Sequence, residues 1–246
     1  MYFNKRILLE AARTDLPLLE RFNYLGIYSN NLDEFFRVRV ASLRRIVGSP
    51  EAIPTQERRK ARETLRTIIR LNKEYSALFD RTFADLLQSL NEAHIHIINE
   101  QELTTDQEDE VLSFFMDKIN GITNPIFINS PTFRPEQHLK ESLYLVVVLW
   151  HEQGEEELAH DVALLEVPTK ELGRFLRLRD KDGESYLMFL DDVLRYCLPY
   201  IFIGREYAQY EAYTFKFTKD AEFELEQDLR SSVIEMVSRG VKRRGR

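Results

Sequence analysis

Glycine is scarce in this 246-residue chain, nine in all, and neither GxxxxGKS/T nor GxGxxG occurs, which excludes the two common glycine-built cradles for nucleotide phosphates. Cysteine is nearly absent. The single thiol, Cys197, can form no intramolecular disulfide, so nothing requires an oxidising compartment. No basic segment leads into an uninterrupted apolar one at MYFNKRILLEAARTD, so the N-terminus does not read as a secretory signal. The longest apolar run, Leu143 to Trp150, is far short of the roughly 20 residues that span a bilayer. An excess of positive charge is missing as well. With 34 Lys+Arg against 41 Asp+Glu the formal charge is −7, so no global basic field attracts nucleic acid, and any polyanion site must be local. These absences predict a cytoplasmic protein without a transmembrane segment or a nucleic-acid partner.

What is present is enough to fold. Hydrophobic residues make up 43% and aromatics 11% of the chain, which fills a core, and the length suits two domains. From Asn4 to about Ile98 the apolar spacing is helical almost throughout. Ile7, Leu8, Ala11 and Ala12 mark a first helix. Thr14-Asp15 and Pro17 signal a second, short one carrying Leu16, Leu18 and Leu19. A third is expected to start at YSNNLDEFF, with Leu32, Phe35, Phe36, Val40, Leu43, Ile46 and Val47 on its apolar stripe and Gly48-Ser49-Pro50 stopping it. A long helix follows from about Thr55 to Ala93, charged in its first turns (QERRKARETLR) and apolar in its later ones.

The character changes at HIHIIN, His94 to Asn99, where period-two alternation and β-branched residues read as a short strand. After the helix TTDQEDEVLSFFMDKI come strand candidates PIFIN, SLYLVVVLWH, HDVALLEVP and AYTFKFT, with a hairpin turn over Glu152 to Glu157. TKELGRFLRL and SYLMFLDDVLRYCLPYIF read as helical, and KDAEFELEQDLRSSVIEMVSRGV as a closing amphipathic helix before the basic tail KRRGR. The expected fold class is therefore multi-domain α+β: an all-α helical domain over 1–98, then an α+β head domain over 99–246 with a mostly antiparallel or mixed sheet.

Most chemically suggestive residues have plain explanations. His151 and His160 in WHEQGEEELAH are nine apart, unlike a helical HExxH, and suit a surface hairpin. His94 and His96 project from one side of a strand, but without a partner ligand at short spacing they fit a solvated face better than a metal site. Asp191 or Asp192 in FLDDVLRYCL reads as a helix cap, and Cys197 as core filler. The stretch YLGIYSNNLDEFFRVRV is different. Ser29, Asn30 or Asn31 can cap the helix, with Asp33 and Glu34 in its first turn. One cap, worth roughly 1 kcal/mol, would suffice, and three in a row exceed the need. An uncommitted Asn amide offers both donor and acceptor to a nucleobase or sugar. Arg37 and Arg39 flank the apolar stripe, within reach of carboxylates or phosphates. Surplus capping and a ligand role both remain open on the residues alone.

FNKRILLEA, PLLERFNYLGIYSNNLDEFFRVRVASL, FLDDVLRYCLPYIF and AYTFKFTKDAEFEL together resemble the N-terminal half of the long-form bacterial polyphosphate kinases, with YSNNLDEFFRVR close to diagnostic. The resemblance implies a helical N-terminal domain, an α+β head, and reversible transfer of the terminal phosphoryl group of ATP to inorganic polyphosphate through a phosphohistidine with Mg²⁺. It implies that the phosphorylated histidine, phosphate-binding arginines and metal ligands lie in catalytic domains beyond Arg246, so none of the five histidines here inherits a catalytic role. One residue does carry over as an ATP contact: Asn31. The head implies a homo-oligomer, and peripheral association with the inner membrane face is compatible with the cytoplasmic reading. The chain alone is expected to be inactive. The alternative is a non-catalytic interaction or dimerisation module. A third reading, a phosphate-polymer surface formed by the KRRGR tail with Arg58, Arg59 and Lys60, would show steep salt dependence.

Overall fold

The computed structural model describes residues 1–48, 53–151 and 160–218, which form two compact units, Met1–His96 and Ile97–Thr218. The first is all helical: α1 (Tyr2–Ala11), α2 (Leu18–Phe35), α3 (Ala41–Gly48) and α4 (Thr55–Glu92). Pro17 stands just ahead of α2, where its missing N–H costs nothing. The expected break before YSNNLDEFF does not occur. α2 runs through Ser29-Asn30-Asn31 into a π-helical turn, Phe36–Val40, and on into α3. The polar triplet is thus helix interior, not a cap, and Asp33 and Glu34 are not first-turn residues. The reason is tertiary. Leu25 and Tyr28 are buried, Phe22 meets Phe83 edge-on at 6.4 Å, and Tyr28 lies 5.7 Å from Phe79, so apolar packing outweighs the weak helix preference of Ser and Asn. The two ring pairs also fix α2 and α4 as antiparallel.

On α4, Ala61, Ile68, Tyr75 and Thr82 are buried at every seventh position, and Leu86 and Leu90 continue the face. Next to Ile68, Ile69 is 61% exposed on the opposite flank.

The second unit is α+β. A four-stranded antiparallel sheet has the order β2-β4-β3-β7, with β2 (Ile126–Phe127), β3 (Ser142–His151), β4 (His160–Glu166) and β7 (Tyr207–Phe217). β3 is covered on both faces. Leu145, Val147 and Leu149 enter one core with α5 (Thr105–Phe114) and α8 (Leu190–Tyr196), while Tyr144, Val146 and Val148 enter another with Phe133 and Leu139. The β3–β4 pairing brings Trp150 opposite His160. The hairpin turn expected over Glu152 to Glu157 lies outside the described residues, as do the closing helix after Thr218 and the basic tail.

Two expected helices are partly strands. TKELGRFLRL is helical only over α7 (Thr169–Leu172); Gly173 then takes φ +82, and β5 (Phe175–Arg177) begins. SYLMF forms β6 (Ser185–Phe189) before α8 and the short α9 (Leu198–Ile201). β5 and β6 pair antiparallel, and β1 (Ile95–Ile98) completes a three-stranded sheet in the order β1-β6-β5. The overlooked signal is Asp182-Gly183, both at positive φ (+54 and +86), a hairpin turn that places β5 and β6 side by side. His94, at φ +62, lies before β1 instead of on it, so the expected His94–His96 strand face does not form. Short α6 (Pro135–His138) lies between β2 and β3. No helix among the described residues is long and apolar enough to cross a membrane.

The assignment of the α4 faces is checked by paired substitutions. Ile68→Ala should lower unfolding free energy by about 2–5 kcal/mol, whereas Ile69→Ala should change it by less than about 0.5 kcal/mol, in urea melts of both variants.

Candidate functional site

Asn31 is half-buried on α2, and its amide makes no hydrogen bond among the described residues. Helical spacing places two exposed apolar residues along its side of the helix. Ile27, one turn before, is 46% exposed, and Val38, two turns after in the π-helical segment, is 40% exposed. An amide able to donate and accept thus stands between aliphatic groups open to contact, a combination that suits a flat, polar-edged ring. The polar surroundings are also incompletely used. Tyr28, three residues before Asn31, has a buried hydroxyl without a hydrogen-bond partner among the described residues, and burial raises its pKa. Asn72, seven residues before Phe79 on the same side of α4, has a buried Oδ1 equally unpaired. Neither was singled out from the sequence. Their types are ordinary there, and only the packing of α2 on α4 reveals the missing partners.

The arginines of the opening stretch part ways. Arg37 pairs with Glu34 at 3.1 Å, whereas exposed Arg39 has no ion pair among the described residues. The π-helical turn holding both is a rare conformation, often found at functional sites.

In the second unit the acidic pair is structural, though not as a cap. Phe189 occupies the N-cap of α8 without a side-chain hydrogen bond. Asp191 is buried, accepting from Arg174 Nη1 at 2.5 Å and Thr214 Oγ1 at 2.8 Å. Arg195 donates to Asp192 and to Thr214. The network ties α8 to β7 and to the residue ahead of β5. Burial disfavours both carboxylates, but Arg174 and Thr214 outweigh it at Asp191 and hold that pKa below its ordinary value. At Asp192 burial and the neighbouring Asp191 charge prevail over Arg195, and the carboxyl is pushed up to about 6.

The histidines stay apart. His151 meets Asp161 at 3.2 Å, His160 lies against Trp150 with ring centres 5.0 Å apart, and His96 bonds Asn91 at 3.1 Å. Among the described residues no group of three His, Cys, Asp or Glu could hold a metal ion. Cys197 is fully buried and its thiol pKa rises to about 12, which makes it inert filler.

Comparison with known proteins adds identity to this geometry. Residues 1–98 match the family model of the polyphosphate kinase N-terminal domain, and residues 106–246 that of the polyphosphate kinase middle domain. A polyphosphate kinase of Yersinia pestis is 34% identical over 248 residues, covering 98% of this chain and 35% of the relative. One from Escherichia coli (strain K12) is 33% identical with the same coverage. The crystal structure of polyphosphate kinase from Porphyromonas gingivalis superposes with a TM-score of 0.73 at 30% identity, over 91% of this chain and 32% of that one. The chain spans about a third of the length of the relatives it matches.

The acidic network has a pH signature. Asp192 takes its proton at a higher pH folded than unfolded, so native stability rises as pH falls from about 6 to about 4. Asp191 acts oppositely: its contribution is present above its ordinary value of 3.8 and is lost as pH falls below it. Urea melts between pH 4 and 7 should show Asp192→Asn removing roughly 1–3 kcal/mol of that dependence.

Proposed function

We infer the function from one premise: this chain belongs to the polyphosphate kinase family. It serves as the nucleotide-contacting and associating part of an ATP:polyphosphate phosphotransferase, with residues 1–98 as one wall of the ATP site and residues 99–246 as the head. The observation that carries this reading is the amide of Asn31, without a hydrogen bond among the described residues, on the side of the helix that also exposes Ile27 and Val38. An adenine ring packs its faces on aliphatic groups and reads a carboxamide through its nitrogen edge, and Asn31 meets both demands.

The transferred phosphoryl group passes through a phosphohistidine that this reading assigns to a part of the enzyme outside this chain. Phosphoryl transfer depends on positioning and on neutralising developing charge, and Mg²⁺ supplies part of that neutralisation when bound. Its ligands are assigned outside the described residues. What this chain contributes is orientation: a hydrogen bond and an apolar contact that hold the base and leave the phosphates pointing away. Self-association through the head, and work in the cytoplasm or at the inner membrane face, rest on family resemblance.

Binding of a mant-labelled ATP, followed by fluorescence, tests the nucleotide wall. Asn31→Ala should weaken it about tenfold, the loss of one hydrogen bond worth roughly 1–1.5 kcal/mol. Equal affinity in the variant, or no binding by the parent at millimolar nucleotide, would overturn the assignment. The purified chain given ATP and polyphosphate should show no phosphoryl transfer above a blank, and turnover free of contaminating kinase would refute the division of labour.

A further inference from the structure

Charge is unevenly distributed along the chain. Although the whole carries 34 Lys+Arg against 41 Asp+Glu, residues 1–98 hold 16 basic against 12 acidic side chains. Much of that excess sits on the early half of α4. Arg59, Arg62, Arg66, Arg70 and Lys73 are all exposed. At 100° per residue they fall within an arc of about 80°, opposite the buried Ala61, Ile68 and Tyr75, and they extend for about 21 Å at 1.5 Å per residue. Between Thr55 and Ala77 that arc contains no carboxylate.

The local pairing leaves these cations available. Arg59 meets Glu63 at 3.1 Å and Arg70 meets Glu74 at 2.7 Å, both pairs highly exposed. Such contacts are worth about 0–1 kcal/mol, and the basic-first order is the weaker one at this spacing. Arg62, Arg66 and Lys73, along the other edge, have no ion pair among the described residues. Arg58 is not part of the row, since its guanidinium turns to the Ile53 carbonyl at 3.2 Å and to Thr55 at 3.3 Å.

We propose that this stripe on α4 is a docking track for a linear polyphosphate chain, held by successive phosphates along the helix. The choice of polymer rests on the function proposed above; the choice of surface does not involve Asn31. A row of cations about 4.5–6 Å apart along the helix axis complements a polymer bearing one charge per repeat. Single-stranded nucleic acid fits less well, because the segment from Thr55 to Asn72 offers no aromatic side chain for base stacking. The track is a holding surface that raises the local concentration of polymer and takes no part in bond making.

Binding of a medium-length inorganic polyphosphate to the purified chain, measured by calorimetry across a salt series, tests this. The parent should bind with affinity falling steeply as salt rises, and Arg62→Gln/Arg66→Gln/Lys73→Gln should bind at least tenfold more weakly, with a salt slope lower by about three. Circular dichroism should show the helix content of that variant unchanged, as its positions are exposed. Tripolyphosphate, too short to follow the row, should bind far more weakly than the polymer. Asn31→Ala should keep the parent's polyphosphate affinity, so loss of the nucleotide reading and loss of this one are separable. The proposal is overturned by parental affinity in the triple variant, by absence of polyphosphate binding at low salt, or by poly-dT binding as tightly at equal phosphate content.

Discussion

Aromatic packing between two antiparallel helices is the constraint on which the rest of the first unit depends. Ser29, Asn30 and Asn31 each cost the helix up to about 0.7 kcal/mol relative to Ala, and left alone they would begin a new helix. Burying Leu25 and Tyr28 returns roughly 1.5–3 kcal/mol per side chain, and the contacts of Phe22 with Phe83 and Tyr28 with Phe79 add more. Packing prevails, and α2 stays unbroken. The consequence is chemical. Had the triplet capped a helix, its side chains would have been consumed by backbone N–H groups; because the helix runs through it, the amide of Asn31 is left without a hydrogen bond among the described residues.

What could be read from residue order follows how local the deciding interaction is. The long helix from Thr55 was legible because Ala61, Ile68, Tyr75 and Thr82 repeat one spacing through four positions. SLYLVVVLWH read as a strand because eight successive apolar residues rich in valine suit burial on both faces, as β3 has it. The α+β class and the helical first unit followed from such runs. FLR and SYLMF were misread for the opposite reason. Each is too short to show a period, and what makes them strands is their partner across Asp182-Gly183. The triplet Ser29-Asn30-Asn31 stood out through its excess over capping need and the resemblance singled out Asn31 within it, but the helix start expected there is absent, because α2 runs through. The orphaned Tyr28 hydroxyl and Asn72 Oδ1 could not be seen at all, since a missing partner exists only once two helices meet.

Arginine and carboxylate occur together throughout, and their surroundings decide what they do. Asp191, Asp192 and Arg195 are largely withdrawn from water and Arg174 is partly so, and breaking a pair there strands a buried carboxylate at a cost of several kcal/mol, so the network functions as a clamp between α8 and β7. Arg59 with Glu63 and Arg70 with Glu74 face solvent, where water replaces either partner at almost no cost. A buried pair cannot be given up to a ligand. An exposed one can.

That difference bears on how a polymer and a nucleotide could be handled by one helical unit. A base must be held in one orientation, which calls for few contacts of fixed geometry, and the Asn31 face supplies an amide and two aliphatic side chains on a helix stiffened by its packing. A uniform polymer needs the reverse: contacts that are numerous, individually weak and interchangeable, so that the chain can advance without a large barrier between neighbouring registers. Lys and Arg on flexible stems, of which Arg59 and Arg70 meet exposed glutamates, suit that need. Rigidity on α2 and looseness along the outer face of α4 are therefore two outcomes of one amphipathic arrangement, in which the side of α4 that packs on α2 leaves the opposite side of its early half to carry a cationic row.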